Sequence, residues 1–349
     1  MSQLSYHEQV DRENILRLRN LIKDLPPFCG DFFRGIEPRT SSRTRIAYAY
    51  DLHVFFDFLH KENPALARIT VQDIKLDQLD QLSVTDFEEY MEYLKYRFND
   101  KKEVMNKERG IMRKISSLKS FYNYYYRNER IKNNPAALVQ LPKLHEKEII
   151  RLDVDEVALL LDEVEQGDKL TDKQKSYHAK TKTRDLALLT LLLGTGIRVS
   201  ECVGLNISDI DFKNGGIRIY RKGGKEVTVY FGTEVEDALL DYLEERDRII
   251  PEQGHEDALF LSLQRRRMAV RSVENLVKKY ARTVAPLKPI TPHKLRSTYG
   301  TNLYRETGDI YLVADVLGHS DVNTTKRHYA ALEDERRRSA RNKVRLREK

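Results

Sequence analysis

Four short strings in the second half of the chain carry residue types that can do chemistry on a phosphodiester. They are Gly194-Thr195-Gly196-Ile197-Arg198-Val199-Ser200-Glu201, Arg221-Lys222-Gly223-Gly224-Lys225, Thr291-Pro292-His293-Lys294-Leu295-Arg296, and Leu317-Gly318-His319-Ser320, with Tyr329 ten positions after His319 (329 minus 319). A phosphodiester attacked in line gathers negative charge on its non-bridging oxygens, and preorganised guanidinium groups stabilise that charge with paired hydrogen bonds. Arg198 and Arg296 are the candidates for such a clamp. A tyrosine hydroxyl has an ordinary pKa of about 10, so attack at neutral pH needs nearby positive charge or a base. His293 can be that base. The leaving oxygen must gain a proton, which a lysine at a hairpin tip can deliver.

Taken one at a time, these residues have plainer readings. A single arginine is usually a solvated or ion-paired surface residue, and a lone histidine is usually a satisfied core group. Tyr329 is one tyrosine among 19. Lysines at hairpin tips commonly serve solubility, and Arg221, Lys222 and Lys225 together can simply grip phosphates. The Gly223-Gly224-Lys225 run is not a phosphate-binding P-loop, since that motif needs a glycine where Ile219 stands. Asp153, Asp155, Asp209 and Asp211 suit helix caps and turns better than a metal pair, and no His/Cys cluster has zinc spacing. The sequence predicts neither a metal site nor another cofactor.

In this order and at these spacings, the strings resemble the tyrosine recombinase family of phage integrases and Xer-type recombinases. His293 and Arg296 match its H-x-x-R, Leu317-Gly318-His319 matches its L-G-H, and Tyr329 stands where its nucleophile is expected. The likeness runs from about residue 40 to 332. The resemblance implies a catalytic set of Arg198, Lys222, His293, Arg296, His319 and Tyr329. Lys222 would be the general acid, with Lys225 as substitute, and His319 would donate a further hydrogen bond to the phosphate. The energy of the cut bond would be kept in a 3′-phosphotyrosyl ester, so a 5′ hydroxyl of another strand can reseal the DNA without ATP. Ser297 stands where many relatives have a further histidine. Glu201 is read as orienting Arg198 or the fold.

Composition and periodicity describe the elements that must hold these groups. With 349 residues, 40% hydrophobic and 33% charged, the chain has material for more than one core. The net charge of +7 is a modest excess of 61 Lys and Arg over 54 acids, so only its distribution argues for a nucleic-acid partner. The basic edges of the first module and Arg265-Arg266-Arg267 suit a grip on a DNA backbone. The longest apolar stretch, Leu186 to Leu193 broken only by Thr190, falls far short of the roughly 20 residues of a membrane span. Met1 to Asn20 lacks the pattern of a secretory signal, and Cys29 and Cys202 are too few for a disulfide scaffold. A soluble cytoplasmic protein is the expectation.

Helical periodicity runs through Ile15, Leu18, Ile22 and Leu25 and stops at Pro26-Pro27. Thr40-Ser41-Ser42 can cap a helix with Ile46, Tyr50, Val54 and Phe58 on one stripe and Phe55 and Leu59 beside it. Ser83 to Asp86 reads as a capping box ahead of Phe87, Tyr90, Met91 and Leu94. A third helix is expected from Asn106 to Arg127, with Ile111, Ile115, Leu118, Tyr122 and Tyr125 inward. Gly167 to Thr183 reads as a surface loop and Asp185 to Leu193 as a core helix. Ile217 to Tyr220 and Val227 to Phe231 read as a hairpin, and further helices are expected over 234–248, 270–283 and most of the remainder.

The fold class is therefore mainly α. The resemblance implies an N-terminal helical core-binding (SAM-like) domain and a mixed, mostly helical catalytic domain with a small β-sheet. The expected divisions are a helical extension at 1–39, the core-binding domain at 40–140, a linker at 141–150, the catalytic domain at 151–332 and a basic tail at 333–349. The resemblance further implies a homo-tetramer on two paired double-stranded DNA sites, with the tail docking on a neighbouring subunit. Exchange would pass through a Holliday junction, in chromosome dimer resolution or in integration and excision of a mobile element. Two other functions fit many of the same residues: a type IB topoisomerase, which shares the phosphotyrosine logic but relaxes DNA as a monomer, and a non-catalytic DNA-binding protein.

Overall fold

Caps and aromatic residues build the first half of the chain. The structure, a computed structural model, describes residues 5–99, 102–144, 150–221 and 224–318. The chain divides into two compact units, Met1–Lys147 and Glu148–Lys349. In the first, α1 (Tyr6–Ile22) starts at a capping box of Ser5 and Glu8, and α2 (Cys29–Ile36) follows the proline pair. Helix α3 (Ser42–Glu62) is capped by Ser41, whose hydroxyl accepts from the Thr44 amide. The short α4 (Leu76–Asp80) precedes α5 (Val84–Lys95), where the Ser83 amide and hydroxyl both donate to Asp86 Oδ2 at 2.8 Å. A two-stranded ribbon of β1 (Arg97–Asn99) and β2 (Lys102–Val104) then leads into α6 (Glu108–Arg127) and α7 (Pro135–Leu138).

The core of this unit is aromatic. Phe32, Phe55, Phe56, Phe87, Tyr90, Phe121, Tyr122 and Tyr125 are all buried, and edge-on pairs such as Phe32–Phe121 (5.1 Å) and Phe87–Tyr122 (5.2 Å) link α2, α5 and α6. Cys29, Phe32 and Phe33 of α2 belong to this core, so it draws on residues ahead of position 40. The α3 stripe holds at Ile46 and Phe58, with Phe55 and Leu59 buried beside it and Ala49, Leu52 and Phe56 added, and departs at two positions: Val54 is half-buried, and Tyr50 is exposed, its hydroxyl accepting from Arg17 Nη2 at 2.7 Å. Beside Tyr50, Asp51 turns inward. It is 1% exposed because Arg113 grips both its oxygens at 2.5 and 2.7 Å and the Ser117 hydroxyl donates to it at 2.6 Å. That binding ties α3 to α6.

The second unit is built around α10 (Lys182–Thr195), whose Ala187, Leu188, Leu189, Leu191 and Leu192 are buried. Packed on it are α8 (Val154–Gln166), α12 (Thr233–Arg246) and α14 (Pro292–Thr307), and α13 (Val270–Val284) packs in turn on α8 and α14. The expected loop over Gly167 to Thr183 contains helix α9 (Asp172–His178). Thr171 and Gln174 cap it, and His178 is buried with Nε2 2.7 Å from the Val164 carbonyl, so a polar stretch is anchored as structure.

Helix α11 (Val199–Gly204) precedes a three-stranded antiparallel sheet in the order β3 (Ile210–Asp211), β4 (Gly216–Tyr220), β5 (Glu226–Tyr230). Ile217 pairs with Val229, and Ile217, Ile219 and Val229 supply its buried side. Helix α15 (Ile310–Leu317) is the last described element. Among the described residues no helix is long and apolar enough to cross a membrane.

Candidate active site

Two left-handed glycines, Gly196 and Gly318, shape the part of the site that is described. Gly196 (φ 62°) ends α10, and two residues later Arg198 becomes the N-cap of α11. A Cβ at Gly196 would lie 2.4 Å from the Tyr299 ring, so the turn needs glycine for both conformation and space. Glu201, on the first turn of α11, accepts from the Arg198 amide at 2.7 Å and from its Nη1 at 2.8 Å. With Glu201 5% exposed and Arg198 41% exposed, a buried carboxylate aims a guanidinium whose outer edge still meets solvent. That is the orienting role expected of Glu201.

Arg296 lies one turn after His293 on α14, and its guanidinium is buried. Its Nη1 donates to the Gly196 carbonyl at 2.5 Å and its Nη2 to the Leu317 carbonyl. Arg198 Nη2 reaches the next carbonyl, that of Gly318, at 3.4 Å. Two arginines 98 positions apart (296 minus 198) thus meet at consecutive peptide groups at the end of α15. A helix C-terminus leaves carbonyls unpaired and carries partial negative charge, so cations gather there. Arg198, whose outer edge meets solvent, can present N–H donors to an anion there. His293 is exposed on the first turn of α14, and its carbonyl accepts from the Ser297 hydroxyl at 3.1 Å.

Lys222, His319 and Tyr329 lie outside the described residues, as does the 333–349 segment. Each has a described neighbour: Lys222 follows Arg221 at the end of β4, and His319 follows Gly318. Burial pushes the hydroxyls of Tyr242, Tyr280 and Tyr299 up, the wrong direction for a nucleophile at neutral pH. Lys225 is exposed. The expected grip of Arg265-Arg266-Arg267 is only partly available. Arg265 pairs with Glu252, and Arg267 turns into the fold, donating to the Leu205 carbonyl at 2.6 Å and to Asn206 Oδ1 at 2.5 Å. Arg266 is exposed.

Comparison with known proteins fits this arrangement. The profile described as the phage integrase family matches residues 151–336, more than half of the chain, and the phage integrase SAM-like domain matches residues 26–141. The chain belongs to the phage integrase family of tyrosine recombinases. It is 34% identical over 332 residues to tyrosine recombinase XerC of Caldanaerobacter subterraneus subsp. tengcongensis, covering 91% of this chain and 86% of that protein. Its fold is similar to that of XerH site-specific recombinase bound to a palindromic difH substrate in a post-cleavage complex, with a TM-score of 0.68 at 18% identity over 97% of this chain and 90% of the other. It is also similar to the Tn1549 transposon integrase in complex with circular intermediate DNA, with a TM-score of 0.63 at 20% identity over 89% and 99%.

As a tyrosine recombinase, the protein carries two features that motif reading did not single out. Arg221 donates from Nη2 to the Val316 carbonyl at 2.7 Å and from Nη1 to that of Asp315 at 3.3 Å, making it the third arginine at the end of α15. In the sequence it is one more cation in a basic hairpin tip. Tyr299 packs where the Cβ of any other residue at position 196 would stand. Only the fold brings those two positions together.

Proposed function

We propose that this tyrosine recombinase acts on specific sites in double-stranded DNA, cutting and rejoining strands through a 3′-phosphotyrosyl ester at Tyr329. The oxygen of Tyr329 forms a bond to phosphorus as its proton passes to His293. The bond from phosphorus to the 5′ oxygen breaks, and that oxygen takes a proton from Lys222. Arg198 and Arg296 hold the non-bridging oxygens, with His319 adding a hydrogen bond. Rejoining reverses each transfer with a 5′ hydroxyl from another strand. Four copies on two paired sites would carry the exchange through a Holliday junction, in the service of chromosome dimer resolution or of movement of a mobile element.

The observation that carries this reading is the meeting of Arg198 and Arg296 at the Leu317–Gly318 peptides, next in the chain to His319. Fold neighbours whose complexes hold substrate or DNA support the choice of partner. The test is covalent trapping. DNA bound in cells is mapped, the site is rebuilt as a nicked suicide duplex, and the adduct is resolved on a denaturing gel. The adduct is expected with the unaltered protein and absent with Tyr329→Phe; an adduct that persists in Tyr329→Phe overturns the nucleophile. Exchanged flanks or junction products from paired sites support recombination. Relaxation of supercoiled DNA alone would place the enzyme with type IB topoisomerases instead.

A further inference from the structure

Arg221 joins two parts of the site that lie far apart in sequence. Its amide donates to the Lys225 carbonyl at 2.9 Å, closing the hairpin just beyond the last strand pair, Tyr220 with Glu226. Its guanidinium reaches across to the Asp315 and Val316 carbonyls at the end of α15. Gly318 makes room for this: a Cβ there would lie 2.2 Å from Arg221 Nη1. The hairpin needs such a tie. Among the described residues it belongs to a sheet of three strands in which β5 is an edge, and Tyr220, Lys225 and Tyr230 are exposed. A short ribbon with one free edge holds its tip poorly by strand pairing alone.

We infer that Arg221 is a positioning residue for strand cleavage, fixing the hairpin that carries the proposed acid to the end of α15 at the Asp315 and Val316 carbonyls. The inference rests on the reading of Lys222 as general acid. Guanidinium suits the task because its planar fork reaches carbonyls of successive residues at once, which an ammonium group does less well. Arg221 itself moves no proton. Its contribution is a share of the acid's effect, which is typically about 100- to 10,000-fold for proton transfer of this kind.

The test compares two suicide duplexes of the same site, one with the ordinary bridging 5′ oxygen at the scissile phosphate and one with sulfur in its place. A thiolate leaves without a proton, so only the oxygen duplex depends on a placed acid. Arg221→Ala is expected to slow adduct formation on the oxygen duplex by about 10- to 100-fold, part of the acid's effect, and to leave the sulfur duplex and DNA affinity at unaltered values. Arg221→Lys should show the same selective slowing in smaller measure. Equal slowing on both duplexes, or none on either, overturns the inference. Lys222→Ala separates the two readings. If sulfur restores Lys222→Ala but not Arg221→Ala, the positioning role alone fails. If sulfur does not restore Lys222→Ala, the acid assignment fails and takes the positioning role with it.

Discussion

Arg198 and Arg296 share a motif-level reading but differ in physical setting, and the difference separates their mutants. Arg198 is half-exposed and bound mainly to Glu201, so its loss takes the guanidinium from one buried carboxylate, to which the backbone amide of residue 198 still donates. Arg198→Ala is expected to lose some stability through the unpaired Glu201 carboxylate and to keep its DNA affinity while losing about 100- to 1,000-fold in cleavage, as for other donors to a developing oxyanion. Unchanged cleavage would rule Arg198 out of the clamp. Arg296 is 6% exposed and satisfies the Gly196 and Leu317 carbonyls, so Arg296→Ala should lose cleavage and also about 1–3 kcal/mol of stability. Denaturant titration beside adduct yield reads both effects. The two cysteines are a control at the same scale. Both are buried and burial pushes both thiols well above their ordinary value, so neither forms much thiolate at pH 8 in the folded protein. A thiol reagent at pH 8 should react with neither until denaturant exposes them, and rapid native reaction would contradict this packing.

Elements convert those residues into a site, and the clearest case is the turn from α10 to α11. Gly196→Ala forces a non-glycine residue to φ 62° and drives a Cβ into Tyr299 and Leu317. It should cost about 1–3 kcal/mol, by the usual range for backbone strain, and should lower cleavage because the Gly196 carbonyl anchors Arg296. A variant as stable and active as the parent would show that the turn tolerates a side chain. How much of this was readable from sequence depended on the kind of signal. Caps and inward faces with strong periodicity were legible: Ser41, Ser83 and the α6 face of Ile111, Ile115, Leu118, Tyr122 and Tyr125 stand as expected. Helix α9 was not, because six polar residues and a single tyrosine carry no periodicity and only the contact of His178 with Val164 reveals the anchor. Tyr50 was misplaced because hydropathy gives no weight to a hydroxyl kept at the surface by Arg17, nor to a buried aspartate such as its neighbour Asp51. Arg221 escaped because carbonyls nearly a hundred residues away define its role.

At the scale of the whole molecule, the protein has two compact units, and each holds a polar or conformational keystone that the other does not share. In the first, the Asp51 carboxylate is held by Arg113, Lys114 and Ser117, and its 1% exposure makes that set costly to disrupt. Asp51→Asn removes the charge and leaves Lys114, 8% exposed, beside a neutral group. Breaking a buried pair typically costs about 3–5 kcal/mol, and the lower end applies here because Arg113 is half in water and can rehydrate. In the second unit the comparable change is Gly196→Ala. Since mutations without shared partners act additively, calorimetry of the two single variants and the double variant tests whether the units unfold separately. The expected result is two transitions. Asp51→Asn should lower one of them by on the order of 10 °C, Gly196→Ala should lower the other, and the double variant should show both shifts unchanged. A single transition displaced by either substitution would mean that the units unfold as one cooperative body, and a defect in the aromatic core of the first would then reach the arginines of the second.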